Sequence, residues 1–377
     1  MKKIVMGFLA AVVLSASAMA ADAVSRAEYG TLPDGRRVEA ITLRGDAGVT
    51  AVVITYGATL QSLTMPDRHG KVADVALGPT SFEGYLKKPE YFGGTVGRFA
   101  NRIARGAFTL DGKTYQTPRN NNGNALHGGE RGFDKVPWDV VATGQGADAS
   151  VTLRYVSPDG DQGYPGTLTA TAIYSLKGRD LAIEYRATTD APTVVNITNH
   201  AYWNLAGEGS TSAMGHVLSI PAAQYTPVDA GLIPTGEFRN VQGTPFDFRA
   251  PTAIGARVRD ADAQIVLGRG YDHNFVIGKT VVATPRRVAT VSEPVSGRGF
   301  ELWSNQPGLQ FYSGNFLDGT TVGKSGHLYR QGDAIALEPQ LFPDTPNQPA
   351  LGSARLAPGE TYRNLIVYKF FVEGKKP

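Results

Sequence analysis

Apolar and polar residues alternate with a period of two along most of this chain, which is typical of β-strands that bury one face. Between Leu168 and Leu176 every second residue is apolar, and most of the residues between them are threonine or serine. A second alternating segment runs from Leu181 to Ala187, after the four residues 177–180. Two such segments joined by so short a connection predict a β-hairpin.

Further segments extend this pattern. Asp111-Gly112 lies between the short runs 107–110 and 113–116, and this dipeptide is a strong signal for a tight hairpin turn. The run from Tyr362 to Glu373 is apolar or aromatic on both faces, which predicts a strand buried between two layers. After residue 20 we find neither an apolar stripe at helical spacing, nor a fixed repeat, nor a polar linker. We therefore expect an all-β fold, a large antiparallel β-sandwich, with residues 21–377 as a single domain.

The first twenty residues follow a different pattern. Lys2-Lys3 precedes an apolar run from Ile4 to Leu14, and small residues follow up to Ala18-Met19-Ala20. This order is that of a secretory signal peptide, and the apolar run is too short to span a bilayer. We expect residues 1–20 to be cleaved after Ala20 and the protein to be exported, most simply to a periplasm, without membrane association. An uncleaved anchor without lipid is the less favoured alternative.

Composition removes several kinds of chemistry. The chain contains no cysteine, which excludes disulfides, thiolate nucleophiles and cysteine-ligated metals. Without the two lysines of residues 1–20 the formal charge is (37 − 2) − 34 = +1, and the basic residues are scattered. Nucleic acid is therefore not an expected partner. Any reaction has to use carboxylates, histidine, hydroxyl groups, lysine or arginine.

Two histidines stand out from the six by their surroundings. His127 is followed by two glycines, which allow a ligand to approach the backbone closely. Alternation from Val194 to Trp203 places Asn196, Thr198, His200 and Tyr202 on one strand face, and that polar and aromatic face suits a sugar groove. An isolated histidine is more often a surface or core residue than a catalyst, so context alone does not decide their role.

Three charged residues are equally ambiguous from the sequence alone. Glu338 shares a predicted strand face with Ala334 and Ala336, whose small side chains leave room for a ligand, but it also fits an acid at a strand end. Asp272 fits a turn residue that bonds the local backbone, and the guanidinium of Arg102 suits either a substrate or an acidic side chain.

Taken in order, seven segments resemble signatures of the aldose 1-epimerase (galactose mutarotase) family, and the resemblance covers almost all of the chain after residue 20. Each segment alone is weak evidence, whereas seven in the same order are specific. They are Gly97–Ile103, Leu126–Gly129, Ser157–Gly166, Thr198–Leu205, Tyr271–Phe275, Gln306–Tyr312 and Leu337–Gln340.

The resemblance implies a fold and a set of roles. The fold is an antiparallel β-sandwich with a sugar cleft on one sheet. Glu338 matches the family's general base, His200 its general acid, and His127 a second imidazole beside the sugar. The matching sugar-binding positions are Asn101, Arg102, Asp272 and Gln310, with Tyr202 as a weaker match that shares a face with His200.

The resemblance also implies the reaction, which interconverts the α and β anomers of free aldohexoses such as glucose and galactose. A base takes the proton of the C1 hydroxyl while an acid protonates the ring oxygen, so neither a metal nor another cofactor is expected. We expect Glu338 to be ionised and His200 to be protonated near neutral pH, with burial raising the pKa of Glu338.

Two other functions compete with this hypothesis. A hexose-6-phosphate epimerase would use similar chemistry but would need a cationic phosphate pocket, and its substrate is scarce outside the cytoplasm. A sugar-binding protein without activity would keep the polar groove but has no need of both Glu338 and His200. The preferred aldose and the oligomeric state are not indicated by the sequence.

Overall fold

The computed structural model describes residues 22–87, 90–145, 148–210 and 212–374. The predicted signal peptide, residues 1–20, lies outside the described residues. The described part of the chain holds no helix that is both long enough and apolar enough to span a bilayer.

Short β-strands make up most of the molecule, numbered here in chain order. The first fourteen are β1 (Val24–Thr31), β2 (Arg37–Arg44), β3 (Thr50–Ile54), β4 (Thr59–Pro66), β5 (Val72–Asp74), β6 (Thr95–Val96), β7 (Arg102–Ile103), β8 (Ala107–Leu110), β9 (Lys113–Gln116), β10 (Ala125–Leu126), β11 (Asp139–Gly144), β12 (Ala149–Ser157), β13 (Leu168–Lys177) and β14 (Asp180–Thr189). The others are β15 (Thr193–Val194), β16 (Thr198–Asn199), β17 (Tyr202–Trp203), β18 (Val217–Ser219), β19 (Gln224–Thr226), β20 (Arg239–Asn240), β21 (Thr252–Ala253), β22 (Asp272–Val276), β23 (Arg286–Ser292), β24 (Arg298–Ser304), β25 (Gly308–Tyr312), β26 (Asp318–Val322), β27 (Leu328–Arg330), β28 (Ile335–Gln340), β29 (Arg355–Leu356) and β30 (Tyr362–Val372).

Helices are few and short. The described residues contain α1 (Phe82–Lys87) and α2 (Ala263–Gly268), together with single turns of 3-10 helix at Ala104–Gly106, Phe133–Lys135, Asp161–Gly163, Ile254–Ala256 and Pro349–Leu351. The Asp262 carboxylate caps α2 by accepting hydrogen bonds from the backbone N–H groups of Gln264 and Ile265.

Three large antiparallel sheets share one core. The strand orders are β1-β2-β3-β4-β5, then β11-β12-β13-β14-β30-β24-β23-β18-β21, and β17-β28-β25-β22-β19-β20. Val53 of the five-stranded sheet, Tyr174 of the nine-stranded sheet and Phe311 of the six-stranded sheet belong to the same buried cluster. The predicted all-β antiparallel sandwich is confirmed.

Both predicted hairpins are present. In β13–β14, Lys177 pairs with Asp180, so the strands extend further than predicted and leave a two-residue turn. In β8–β9 the turn residues Asp111 and Gly112 both have positive φ, at 49° and 81°. That backbone geometry belongs to a tight hairpin turn and explains the Asp-Gly sequence.

The prediction for β30 is only half right. This strand lies in the middle of the nine-stranded sheet, between β14 and β24, but its residues alternate between buried and half-buried. Its outer face is covered by long side chains rather than by a second layer. For example, the ammonium group of Lys369 lies 4.5 Å from the centre of the Trp303 ring, which shields apolar surface from water.

Arg98 joins two of the sequence motifs into one structural unit. Its guanidinium is buried and donates hydrogen bonds to the carbonyl oxygens of Ser157, Pro158, Pro165 and Gly166. These bonds supply buried carbonyl groups with a donor, in addition to the Asp161 N–H that also donates to the Pro158 carbonyl. The 157–166 turn is therefore a support for the segment 97–103 rather than a part of the site.

Candidate active site

A cavity of about 320 Å³ opens against the six-stranded sheet and contains most of the predicted site. Seven of the eight predicted residues line it: Asn101, Arg102, His127, His200, Tyr202, Asp272 and Glu338. The eighth, Gln310, lies directly behind Asp272, to whose Oδ1 atom its side-chain amide donates a hydrogen bond of 2.7 Å.

The register of the six-stranded sheet explains why these residues meet. Residues directly opposite each other in an antiparallel pair share a face, as do residues two apart along a strand. Glu338 of β28 is opposite Gln310 of β25. The next row runs across four strands, and its pairings are Tyr202–Ala336, Ala336–Tyr312 and Tyr312–Asp272.

Glu338 is a buried residue inside an interior strand. It belongs to β28, which pairs with β25 on one side and β17 on the other, and 2% of its surface is exposed. The alternative of an acid at an exposed strand end is therefore wrong. The small Ala336 beside it leaves the space that the sequence predicted.

An acid–base pair is formed where Glu338 meets His200. The Oε1 atom of Glu338 and the Nε2 atom of His200 are 3.6 Å apart, and both side chains are buried. His127 lies beside them, with its ring centre 5.2 Å from that of His200 and its ring plane nearly perpendicular. One ligand atom from each of the three residues lies within 4.8 Å of the others.

The hydrogen bonds of His127 identify its tautomer. The backbone N–H of Asn101 donates to Nδ1 of His127 at 3.1 Å, so in the neutral ring the proton is on Nε2. A metal ligand needs a free lone pair at that nitrogen. Although the three residues are close enough to surround an ion, His127 offers an N–H group, which suits a hydroxyl-bearing ligand better than a metal.

A polar network lies beside the pair. The Nη1 atom of Arg102 lies 3.7 Å from Oδ2 of Asp272, and both side chains are buried. His273, the neighbour of Asp272, accepts a hydrogen bond from the Asp272 backbone N–H, which holds the strand in place. The side-chain oxygen of Asn101 accepts from the Arg102 backbone N–H at 2.9 Å. Asp272 is thus part of β22 and of the site, and the alternative of a turn acid is wrong.

Burial shifts the ionisation of the acid–base pair. Desolvation raises the pKa of Glu338 well above its usual range; the Asp272 carboxylate adds to this and Arg102 opposes it. Desolvation also lowers the pKa of His200 to about 4. The rise for Glu338 was expected, but burial opposes both the ionised Glu338 and the protonated His200 that were expected in the resting protein, because it disfavours the charged form of each group.

Several polar atoms at the site have no hydrogen-bond partner within the described residues. They are Nδ1 of His200, Oε2 of Glu338 and Oε1 of Gln310, all buried. Buried polar atoms are normally paired, and leaving one unpaired costs about 1–3 kcal/mol. A bound polyhydroxylated molecule supplies the kind of partner that such atoms need.

The predicted polar face of the segment 194–203 needs a correction. The segment is not one strand but the three short strands β15, β16 and β17, and only His200 and Tyr202 reach the cavity. The side-chain amide of Asn196 donates to the Ala100 carbonyl, and the Thr198 hydroxyl donates to the Pro339 carbonyl. These two side chains satisfy buried backbone groups and hold the segment in place.

Other lining residues were missed by sequence reasoning. They are Glu90, Tyr91, Asn121, Asn122, Leu232 and Phe316–Leu317, while Leu126 and Tyr312 lie within motifs already noted. Most belong to loops without alternation, so no periodic signal points to them. Tyr91 and Leu232 both have φ of 60°, a backbone conformation that their sequence does not reveal.

Comparison with known proteins agrees with this geometry. Residues 39–369 match the family model described as aldose 1-epimerase. The chain belongs to the aldose 1-epimerase family. It is 45% identical over 350 residues to galactose mutarotase from Rattus norvegicus, covering 93% of this chain and 99% of the relative. It is 40% identical to aldose 1-epimerase from Escherichia coli (strain K12), covering 90% and 97%.

Solved structures of aldose 1-epimerases have the same fold. Galactose 1-epimerase from Lactobacillus acidophilus NCFM superimposes with a TM-score of 0.82 and 31% identity, covering 93% of this chain and 99% of that one. An aldose epimerase homologue from C. elegans gives a TM-score of 0.80 and 33% identity, covering 88% and 98%. The resemblance noted in the sequence is confirmed, and the chain is an isomerase of the mutarotase type.

The ionisation of this aldose 1-epimerase can be tested by NMR. We expect the His200 ring to be neutral in the unliganded protein from pH 8 down to about pH 4, because burial lowers its pKa and a histidine is neutral above its pKa. The measurement is ¹⁵N NMR of histidine-labelled protein, with His200→Asn to assign the resonance. A charged His200 ring at pH 6 would contradict the expectation.

Proposed function

We propose that this aldose 1-epimerase interconverts the α and β anomers of free aldohexoses such as glucose and galactose, with Glu338 as general base and His200 as general acid. The observation that carries the proposal is the buried pair of Glu338 and His200, with reactive atoms 3.6 Å apart at the wall of a cavity rich in hydrogen-bonding groups. His127 supports the pair with its Nε2–H group.

The proposed reaction needs one proton taken from the sugar and one given to it. Glu338 removes the proton of the C1 hydroxyl, His200 protonates the ring oxygen, and the C1–O5 bond breaks to leave the open-chain aldehyde. Rotation about C1–C2 presents the other face of the carbonyl. The reverse transfers then close the ring to the other anomer, so that atoms, charge and protons balance without a redox step.

Burial of the pair determines on which residue its shared proton lies. Before ring opening the pair is a carboxylate and an imidazolium, and afterwards it is a carboxylic acid and a neutral imidazole; both states hold one shared proton. Desolvation of the buried pair favours the second state, as the directions of both pKa shifts indicate. The resting protein therefore holds the shared proton on Glu338, and that proton has to pass to His200, 3.6 Å away, before ring opening uses the pair as base and acid.

We propose that the polar network beside the pair binds the hydroxyl groups of the sugar. Arg102, Asp272 and Gln310 present donors and acceptors on one wall, and Asn101 lies beside them. Among the described lining residues Arg102 is the one cationic side chain, and it already lies against Asp272. A sugar phosphate would need additional positive charge, so this favours free aldoses over the competing hexose-6-phosphate reaction.

We also propose export of the enzyme. The pattern of residues 1–20 supports a signal peptide cleaved after Ala20 and a periplasmic enzyme that is not associated with the membrane. A single domain over residues 21–377 is supported by the core that the three large sheets share. No nucleic-acid partner is proposed, and the oligomeric state is left open.

Removal of either member of the pair should slow the reaction. We expect Glu338→Gln and His200→Asn each to lower kcat by about 10² to 10⁴, the usual contribution of a positioned acid or base. The measurement is the optical rotation of freshly dissolved α-D-glucose and α-D-galactose at low buffer concentration. Glu237→Gln and His327→Asn change exposed residues and serve as controls.

The same assay separates the alternatives. Relaxation no faster than buffer in the wild-type protein with both sugars, despite a normal thermal transition, would favour the sugar-binding function. Full activity in Glu338→Gln would remove the proposed base.

Asp272 should act mainly in binding. We expect Asp272→Asn to raise KM about tenfold or more, because a charged hydrogen-bond acceptor is worth roughly 1.5–3 kcal/mol, and to lower kcat much less. Steady-state polarimetry gives both constants, with Asp247→Asn, a partly exposed aspartate outside the cavity, as a control. A large loss of kcat at unchanged KM would contradict the assignment.

Export can be measured on the full-length chain expressed in a Gram-negative bacterium. We expect the protein in the periplasmic fraction with Ala21 as its first residue, determined by intact mass. Ala18→Lys should block processing, because cleavage needs a small residue there. An intact Met1 in the membrane fraction would favour an anchor, and an intact chain in the cytoplasm would contradict export.

A further inference from the structure

The orientation of the His200 ring is not held by a hydrogen bond at Nδ1. That atom is buried and has no partner within the described residues. Catalytic histidines usually obtain their orientation from a hydrogen bond at the nitrogen away from the reaction. The Nε2 atom of His200 faces Glu338, so the ring must be held in another way.

Aromatic rings surround His200 instead. The ring centre of Tyr202 lies 4.9 Å away, that of His127 5.2 Å, that of Tyr91 5.8 Å and that of Tyr312 6.4 Å. Tyr91 also packs edge-on against His127 with ring centres 4.5 Å apart. Tyr91 is therefore in contact with both imidazoles of the site at once.

The Tyr91 ring is itself held in place by Lys135. The ammonium group of Lys135 lies 5.2 Å from the centre of the Tyr91 ring. That ammonium is fixed by a hydrogen bond of 2.9 Å to the Glu130 carbonyl and lies 3.7 Å from the buried carboxylate of Asp134. A cation placed against an aromatic ring stabilises the contact and limits the movement of the ring.

The backbone connects Tyr91 to His200 as well. The Tyr91 carbonyl accepts a hydrogen bond from the Gly94 N–H and so closes a tight turn. Gly93 of this turn donates to the His200 carbonyl, and the His200 N–H donates to the Gly94 carbonyl. Tyr91 is thus connected to His200 both through the hydrogen bonds of the main chain and through the contact of the two rings.

We infer that Tyr91, held by Lys135, is a positioning residue that fixes the rings of His200 and His127 in their reactive orientation. The inference rests on the proposed function. It assigns to Tyr91 the role that a hydrogen bond to Nδ1 has in other catalytic histidines. Removal of the Tyr91 ring should leave sugar binding intact, while His200 loses its alignment.

Kinetics test this role by separating kcat from KM. We expect Tyr91→Leu to lower kcat about 10- to 100-fold, as misplacement of a catalytic group does, with KM changed by roughly twofold or less. Tyr91→Phe keeps the ring and should restore most of kcat. Tyr115→Leu is the matched control, because Lys113 lies 5.0 Å from the Tyr115 ring on a hairpin that does not line the cavity, and it should leave kcat unchanged.

NMR of the histidine rings tests positioning without activity. In Tyr91→Leu we expect the His200 and His127 ring resonances to broaden or double, and in Tyr91→Phe to match the wild type. Unchanged ring resonances together with unchanged kcat in Tyr91→Leu would overturn the inference. A higher KM at unchanged kcat would overturn it too, because Tyr91 would then be a substrate contact.

The two proposals fail in different ways. A wild-type protein without mutarotase activity would refute the proposed function and remove the kinetic basis of the inference. An active wild type whose Tyr91→Leu variant matches it would refute the inference alone. A thermal transition measured for each variant distinguishes local effects from unfolding.

Discussion

Glu338 and His200 hold reactive atoms 3.6 Å apart where water does not screen their charges, and the rest of the site follows from that burial. In water the carboxylate would be ionised at neutral pH, and the imidazole would become charged below about pH 6.5. Inside the cavity the cost of desolvation favours the uncharged forms of both groups. The single proton that the pair shares is therefore held by Glu338 rather than by His200 in the resting protein.

Such a pair requires a rigid frame, and the six-stranded sheet supplies it. Glu338 and Gln310 are directly opposite each other in β28 and β25, so hydrogen bonds of the main chain determine their separation. His200 lies outside these ladders, just before β17; main-chain hydrogen bonds with Gly93 and Gly94 fix its backbone, and its ring depends on packing. The site thus combines residues positioned by strand register with residues positioned by loops.

Much of the fold was predictable, because strand alternation and turn dipeptides are local signals. Asp111-Gly112 is an example, since positive φ at both residues follows from their own chemistry. The site was predictable only through motifs, because Glu338 and His200 are far apart in sequence. Tyr91 was missed because its importance comes from contacts with His127 and Lys135, and no periodicity encodes such contacts. Burial likewise determines the neutral state of His200, and the sequence alone does not show how deep a histidine lies.

The position of β30 has a consequence for biosynthesis. This strand is formed by residues 362–372, yet it lies between β14 and β24 and joins the two parts of the nine-stranded sheet. A nascent chain that has not yet reached residue 362 presents two open sheet edges and an incomplete core. The nine-stranded sheet is therefore complete only after the last of its strands has been translated, and until then the edges of β14 and β24 are where pairing with another chain would occur.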